Sequence, residues 1–401
     1  MIHIMTQKST HNFAVIGMGM NGMLNTICLA GLRLASGKAP SVCIMDKDAE
    51  PLKRFELDNR TIALSGFTKN LLSELKIDIE AEPLGVIDYI YTFEKSTKPI
   101  LEFAKEQNNN EPIGWIVKGG VLLKALYKKM QELSNIEIKN GYEITELAST
   151  ADIAIINGGQ VGAELCVVCD GKTSPSAKLL GVKRYGSSYN QKALSFVIEH
   201  EAEHKNIAVE QFTPNGPFAT LPLANKNQSG VVWSLNGTLA DALLAMPQHR
   251  LVMHLNEECK RLKNIGFVKQ IVSKPRVYPL SISVLSKMYC GRFYFAGDAY
   301  NAIHPVAGQA FNMGVKDAAI LKEAVQGHLS LGLDAGLATC LNEAANARIQ
   351  HHLSLNIATH FLVKLYSNAN PLTKLIRTAG LDVFNQISPL KNLAFKNASG
   401  M

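Results

Sequence analysis

The apolar positions along the chain change period several times, and each change marks an element. Asn12-Phe-Ala-Val-Ile-Gly17 is a short apolar run ending in glycine, the pattern of a buried strand. Apolar residues then recur at Leu24, Ile27, Cys28 and Gly31, the spacing of one helix face. A second run, Ser41-Val-Cys-Ile-Met45, ends in Asp46. Strand, helix and strand in this order predict a βαβ opening. Further strands are predicted at Leu165–Cys169, ending in Asp170-Gly171, and at Phe293–Ala296, ending in Gly297-Asp298. From about Gln309 onward, Ala310, Met313, Val315, Ala318, Ile320 and Leu321 predict a helix whose amino terminus points back toward Asp298. In the middle of the chain Lys192–Glu201, Phe212–Leu223 and Gly230–Leu235 read as strands of an antiparallel sheet, with turns at 213–216 and 225–230. Arg250–Gly266 reads as a helix.

The predicted elements place chemistry at their ends. Gly17-Met18-Gly19-Met20-Asn21-Gly22 joins the first strand to the first helix. Gly17 permits a tight turn, Gly19 lets the backbone approach a pyrophosphate, and Gly22 lets helix pack on strand. The helix terminus adds free N–H groups and a positive dipole end. Asp46, 24 residues after Gly22, falls within reach of a ribose hydroxyl. These features point to a dinucleotide, with FAD and NAD(P) both open. Asp170-Gly171 and Gly297-Asp298 each put a carboxylate at the carboxyl end of a strand, where open α/β sheets bind ligands. Cys166 and Cys169 have metal-like spacing, but strand alternation sends them to opposite faces and no second Cys/His pair is near, so no metal is expected.

Composition narrows this picture. The 401 residues are 47% hydrophobic and 19% charged, which excludes a disordered chain and suits two or three interlocked domains. No run of eighteen uncharged apolar residues predicts a membrane span, and the opening Met1–Asn12 lacks an apolar signal core. Seven cysteines, an odd number, point to a reducing compartment and hence a cytoplasmic location. The formal charge is +7, from 41 Lys and Arg against 34 Asp and Glu. Nucleic acid is not expected as the partner, because the basic residues show no aromatic interleaving. Residues 352–401 hold Lys364, Lys374, Arg377, Lys391 and Lys396 against Asp382 alone, a net of +4. Pro371 and Gly380 bracket a short helix with Leu372, Leu375, Ile376 and Ala379 on one face and Lys374 and Arg377 opposite. Such a helix can dock on an anionic bilayer, at the inner face of the membrane, or pack on the protein body with a solvated basic rim.

Taken together, three stations resemble those of the aromatic-hydroxylase flavoproteins with the p-hydroxybenzoate hydroxylase fold, and most closely their ubiquinone-biosynthesis branch. They are the glycine loop, Asp170-Gly171, and the block Gly297-Asp298-Ala-Tyr-Asn301-Ala-Ile-His304-Pro305-Val-Ala-Gly308-Gln309-Ala310-Phe-Asn312-Met-Gly314-Val-Lys-Asp317. Asp58-Asn-Arg60-Thr-Ile-Ala63-Leu64-Ser65, Gly114-Trp-Ile-Val117, Gly216-Pro217-Phe-Ala-Thr-Leu221-Pro222-Leu223 and Val231-Val-Trp233-Ser234 are similar to further segments of that branch. The likeness continues through Tyr366-Ser-Asn368, Pro371, Arg377, Gly380-Leu381 and Pro389-Leu-Lys391.

The resemblance implies an α/β fold with a Rossmann-like FAD-binding domain (1–80, 111–184 and 286–350). An antiparallel-sheet substrate domain (81–110 and 185–285) interleaves with it, and a carboxyl-terminal helical segment follows (351–401). It implies FAD held by Gly17, Gly19, Gly22, Asp46, Arg60, Asp170, Gly297, Asp298, Ala310 and Asn312. His304, Pro305, Gly308 and Gln309 would form the flavin-ring environment with no acid or base among them. The implied reaction is hydroxylation of the aromatic ring of a polyprenylated phenol in ubiquinone biosynthesis through a C4a-hydroperoxyflavin, using O2 and NAD(P)H or another donor. A ubiquinone-biosynthesis complex would be the partner. The alternatives are a hydroxylase of a soluble aromatic compound and a non-catalytic FAD- or quinone-binding subunit. The chain departs from the family at Tyr300-Asn301, where Ala-His is usual, at Ala310 for glycine, at Lys118-Gly119-Gly120, which lacks the usual Glu-Asn, and at Lys178 for arginine.

Overall fold

The computed structural model describes residues 10–94, 101–213, 215–260, 264–303 and 308–366, with backbone alone at 94, 189 and 355–366. Parallel strands carry the first layer. β1 (Thr10–Ile16) lies between β2 (Val42–Asp46) and β11 (Val161–Val168). β8 (Ile136–Asn140) extends the β2 side and β19 (Phe293–Phe295) the β11 side, both parallel. β18 (Tyr289–Cys290) closes one edge antiparallel, and β9 (Leu147–Ser149) and β10 (Ala154–Ile156) branch antiparallel from β11. Phe13 to Ile16, Val42 to Met45 and Leu165 to Val168 are all buried, as a parallel sheet covered on both faces requires.

Helix α1 (Met20–Ala30) packs on this sheet. Between the strands come α2 (Pro51–Glu56), α3 (Gly66–Glu74), α4 (Gly119–Gln131) and α5 (Pro175–Leu179). A second, nine-stranded sheet contains β5 (Tyr89–Glu94), β6 (Leu101–Ala104), β12 (Arg184–His200), β13 (Ile207–Thr213), β14 (Gly216–Pro222) and β15 (Gln228–Asn236). It also contains β16 (Val268–Ile271), β17 (Arg276–Leu285) and β20 (Asn301–Ala302). Its strands pair antiparallel except for the parallel β5–β13 pair. Helices α6 (Gly237–Ala245) and α7 (Gln248–Cys259) contribute Ala240, Leu243, Leu251, Leu255 and Cys259 to a core with Leu194, Phe196, Val231 and Trp233. A third sheet, β3 (Thr61–Leu64), β7 (Gly114–Lys118) and β4 (Gly85–Ile87), joins the two layers. Helices α8 (Ala310–Ser330) and α9 (Ala338–Tyr366) pack against each other, and α8 also packs on α1.

The mixed α/β architecture agrees with the sequence pattern, with local differences. The strand expected from Phe212 starts earlier, as β13 at Ile207, and β14 follows from Gly216, on the far side of the turn expected at 213–216. β12 begins eight residues before the expected Lys192, because its first half (Tyr185, Ser187, Ser188, Asn190) is too polar to show alternation. The helix expected at 250–266 spans Gln248–Cys259, entered from Pro247, whose fixed φ suits a helix start.

One buried cation ties the first layer to the α8–α9 connection. Arg292, 3% exposed, donates through Nη1 to the Glu164 carbonyl at 2.7 Å and to Asp334 Oδ1 at 2.9 Å. Its Nε donates to the Ala151 carbonyl at 2.8 Å. Removing the guanidinium strands the Asp334 carboxylate and two carbonyls. Arg292→Ala is expected to lower unfolding free energy by about 3–5 kcal/mol, read as a shifted urea midpoint.

Candidate functional site

The carboxyl ends of β1, β2, β11 and β19 converge, and the turns that follow them form the site. Gly17 has φ +99°, and a Cβ there would lie 2.5 Å from the Cys169 carbonyl oxygen. A Cβ on Gly22 would lie 1.8 Å from the Gly17 oxygen. These two glycines are therefore demanded by the protein's own packing. Gly19 is different: a Cβ there would meet nothing within 4 Å, and no side chain caps α1. An uncapped helix terminus beside a glycine that faces open space is a cradle for an anion.

Two carboxylates rim this cradle. Asp46, at the end of β2, accepts from the Met18 amide at 2.5 Å and the Asp48 amide at 2.9 Å. Asp170, after β11, accepts from the Ser176 amide through Oδ2 at 2.9 Å, while its buried Oδ1 has no hydrogen-bond partner among the described residues. A buried acceptor left open at a strand end invites a ligand donor.

The turn after β19 brings Gly297 (φ +58°) against Asn21 of α1, where a Cβ would lie 2.3 Å from the amide nitrogen. Asn21 also abuts Gly314 of α8, so α1 and α8 approach closely at their amino-terminal ends. Asp298 is half-buried. Burial pushes its carboxyl up, while Arg60, Lys172 and Arg184 pull it back. Lys178, where the family has arginine, is exposed on α5, so the cations that act on Asp298 are those three. Arg60 is held by Asp58 at 2.5 Å and lies 5.9 Å from the Tyr278 ring centroid.

Gly308, with φ +59°, and Gln309 precede α8, whose first turn has no side-chain cap. Asn312 uses its side chain inside the protein. Oδ1 accepts from the Ser65 amide at 3.0 Å and the Thr68 hydroxyl at 2.7 Å, and Nδ2 donates to the Ala63 carbonyl at 3.1 Å. It ties α8 to β3 and α3. His304 and Pro305 lie outside the described residues, as does the amphipathic helix expected at 371–380.

Sequence reasoning singled out no role for Asp317, which is fully buried on α8. It accepts from Arg348 Nε at 2.7 Å, His352 Nε2 at 2.8 Å and the Gly297 amide at 3.2 Å. Burial alone would raise its carboxyl, but His352 and Arg348 outweigh burial and hold it below the usual range. Asn301 belongs to this network. Its Nδ2 donates to His352 Nδ1 at 3.0 Å, which leaves the Nε2–H to donate to Asp317. Asparagine in place of the family's usual histidine thus has a partner of its own. The carboxylate and its basic partners lie 31 and 35 residues apart on two helices, a pairing that no local pattern reveals.

Facing these turns is one side of the nine-stranded sheet, and strand register identifies it. Gly230 points at Thr61 of β3, and its paired residues Val197 and Leu221 share that face. Two residues along, Thr92, Glu210, Ala219, Val232, Ser195 and Arg276 form the next row across β5, β13, β14, β15, β12 and β17. Glu210, Ala219 and Val232 are only half-buried although they sit mid-strand, so open space lies over them, and Arg276, half-buried too, starts β17 at the end of the row. Burial pushes the Glu210 carboxyl up to about 7. Its signal in the sequence is a lone carboxylate inside the apolar run Ile207–Phe212.

A family model described as an FAD binding domain matches residues 12–347. The chain belongs to this FAD-binding family. Its members include FAD-dependent monooxygenases, and its cofactor is FAD. A ubiquinone hydroxylase, UbiL, of Rhodospirillum rubrum is 31% identical over 374 residues, 90% of this chain and 85% of the relative. The mitochondrial ubiquinone biosynthesis monooxygenase COQ6 of Caenorhabditis elegans is 26% identical over 432 residues, covering 96% and 95%. Among solved structures, p-nitrophenol 4-monooxygenase PnpA of Pseudomonas putida superposes with TM-score 0.73 at 16% identity, covering 98% of each chain. PqsL of Pseudomonas aeruginosa gives TM-score 0.73 at 16% identity, covering 93% and 99%. At that identity the two structures establish the shared fold.

Among the described residues, one group of three has metal-ligating atoms within 4.8 Å of one another: His11, Cys43 and Glu137. Its carboxylate is ion-paired, with Lys139 at 2.5 Å from Glu137, while burial holds the His11 imidazole below its usual range and pushes the Cys43 thiol up to about 12.

The two kinds of glycine separate in a mutational test. Gly22→Ala forces backbone apart and is expected to destabilise by at least about 3 kcal/mol. Gly19→Ala enters open space, so its melting temperature is expected to stay near wild type while FAD affinity falls about tenfold or more. Thermal unfolding of apoprotein and fluorescence titration with FAD check both.

Proposed function

We propose that the protein hydroxylates the aromatic ring of a polyprenylated phenol on the route to ubiquinone, consuming O2 and a reduced donor such as NAD(P)H. The 31% identity to a ubiquinone hydroxylase over nine-tenths of the chain carries this reading. The half-open row on the second sheet supports it, because Ala219 and Val232 offer an accessible apolar surface for an aromatic ring, with Glu210 beside them, opposite the strand-end turns.

The residues present fit FAD, given the open side of Gly19, the uncapped α1 terminus and the unpartnered Asp170 Oδ1. Gly17, Gly19 and Gly22 would bring the α1 amide groups to its pyrophosphate, and Asp46 would take a ribose hydroxyl. Asp170, Gly297 and Asp298 would hold the middle of the dinucleotide, and Arg60 would share its charge with it. When bound, FAD supplies the two-electron chemistry that O2 activation needs. The α8 terminus, with Gly308, Gln309, Ala310 and the backbone at Asn312, turns amide dipoles toward negative charge that develops there. By the resemblance, His304 and Pro305 complete that loop. The sheet row excludes water and orients the ring.

The test is direct. Purified protein with FAD is expected to be yellow and to convert a prenylated phenol, with NADH or a chemical reductant and O2, into a product one oxygen atom heavier. A colourless protein that does not take up FAD would sink the proposal, as would oxygen consumption that ignores the phenol.

The same reading places the protein in the cytoplasm, in contact with the inner face of the membrane that holds its substrate and in a biosynthetic assembly. Among the described residues, no helix is long and apolar enough to cross a membrane. Contact at the surface is supported by Leu331, Ile349 and Leu353, which are 76%, 40% and 58% exposed around the α8–α9 hairpin, and by the net +4 of residues 352–401. Replacing Ile349 and Leu353 together with serine is expected to weaken co-sedimentation with anionic vesicles several-fold and leave binding to zwitterionic vesicles at its low baseline.

A further inference from the structure

The half-buried row of the second sheet contains one carboxylate, Glu210, and its neighbours define its surroundings. Across β13 it is flanked by Thr92 on β5 and Ala219 on β14, neither of which ionises. Arg276 shares the row from four strands away, on β17. One row further on, the register gives Phe212, Pro217, Ser234, Ala193 and Tyr278, with Glu94 paired to Phe212 on β5. Arg60 reaches in from the nucleotide layer, over Tyr278. One row in the other direction, Ala208, Leu221, Gly230 and Val197 close against β3 and the apolar cluster of Ile87, Phe103 and Ile116. Glu210 therefore stands between the sealed end of the interlayer space and the end that opens toward Arg60 and Asp298. Burial is the only cause of its raised proton affinity, with no charged group contributing. A carboxylate that gains nothing from an internal partner weakens the fold, so its place in the sheet calls for another explanation.

We propose that Glu210 is the base that accepts the phenolic proton of the substrate. This rests on the hydroxylase reading above. The phenol O–H bond breaks, its proton passes to the Glu210 carboxylate, and the O–H electron pair moves into the ring. Electron density rises at the ring carbons ortho and para to the oxygen, one of which takes up one atom of O2 as a hydroxyl group, the reduced donor having supplied both electrons as hydride and the solvent one proton. The hydroxylated carbon then loses its own hydrogen as a proton, which joins the second oxygen atom, released as hydroxide, to leave as water; the ring regains aromaticity, while Glu210 returns its proton to the phenolic oxygen. A carboxyl that titrates near 7 is matched to this exchange, because it takes and releases a proton at small cost near neutral pH.

The experiment uses the full chain loaded with FAD, comparing wild type with Glu210→Gln and Glu210→Asp. Glu210→Gln is expected to keep prenylphenol KM within about threefold and to lose ten- to a hundredfold in kcat. The wild-type rise of kcat/KM through about pH 7 should flatten in this variant, and Glu210→Asp should restore part of the rate. Wild-type kcat and an unchanged pH profile in Glu210→Gln would overturn the proposal.

A second readout does not depend on turnover. The folded state holds a proton on Glu210 that the unfolded chain releases near 4.5, so ionising it costs stability progressively up to about pH 7 and in full above that. Glu210→Gln removes that cost, so its melting temperature should exceed wild type at pH 8 and match it at pH 4.5. Equal melting temperatures at pH 8 would mean that Glu210 is not held in the desolvated setting the proposal requires. If wild type does not hydroxylate the prenylphenol while the melting-temperature difference holds, the substrate assignment fails and the buried carboxyl stands.

Discussion

A single buried carboxylate, Asp317, fixes the geometry on which the site depends. It holds the Gly297 amide from one side and Arg348 and His352 of α9 from the other. Two helices and the turn after β19 are thereby locked to one point. Because Gly297 and Gly314 both lie against Asn21, that point also sets how closely α8 approaches α1. Two uncapped helix termini then meet at the ends of the parallel strands. Their alignment is a consequence of the buried ion network, since an unpaired carboxylate at this depth would be costly.

Much of the nucleotide layer was legible in the sequence because its signals are local. A strand, a glycine turn and a helix occupy adjacent residues, and Gly22 is fixed by its contact with Gly17, although Gly17 itself also meets Cys169 at the distant end of β11. Asp46, Asp170 and Asp298 could likewise be placed because each ends an apolar run. What stayed hidden depends on register or on helix pairing. Asp317 reads as an ordinary polar residue of an amphipathic helix until α9 is set beside it. Glu210 reads as a strand residue of no consequence until six strands are aligned and its row is seen to face open space. Asn301, a departure from the family when read alone, makes sense only with His352 in view, 51 residues away.

The second sheet does two jobs with one alternation. Leu194, Phe196, Val231 and Trp233 point to the α6–α7 side and bury fully, while Glu210, Val232 and Ala219 point to the nucleotide layer and stay partly open. Since strand side chains alternate with period two, a one-residue slip in any of these strands would exchange the two sets. The packed face thus specifies the register of the open one. Stability is drawn from the α6–α7 side, which leaves the other free to be shaped by what it binds.

Three carboxylates of the site differ in what surrounds them, and the differences sort their roles. Asp317 is fully buried but ion-paired, which keeps it charged and makes it an anchor. Asp298 is raised by burial and pulled back by Arg60, Lys172 and Arg184, so it stays close to cations that a phosphate-bearing cofactor would share. Glu210 is raised by burial with nothing to oppose it. Groups of one chemical type whose proton affinities are driven apart by their surroundings are how a protein separates structural, binding and proton-transfer work. On this ordering the nucleotide layer carries the cations and the helix dipoles that favour negative charge. The facing sheet holds one group able to receive a proton. An aromatic ring lying between them would be drawn toward losing its proton on one side and toward meeting an electrophilic oxygen on the other.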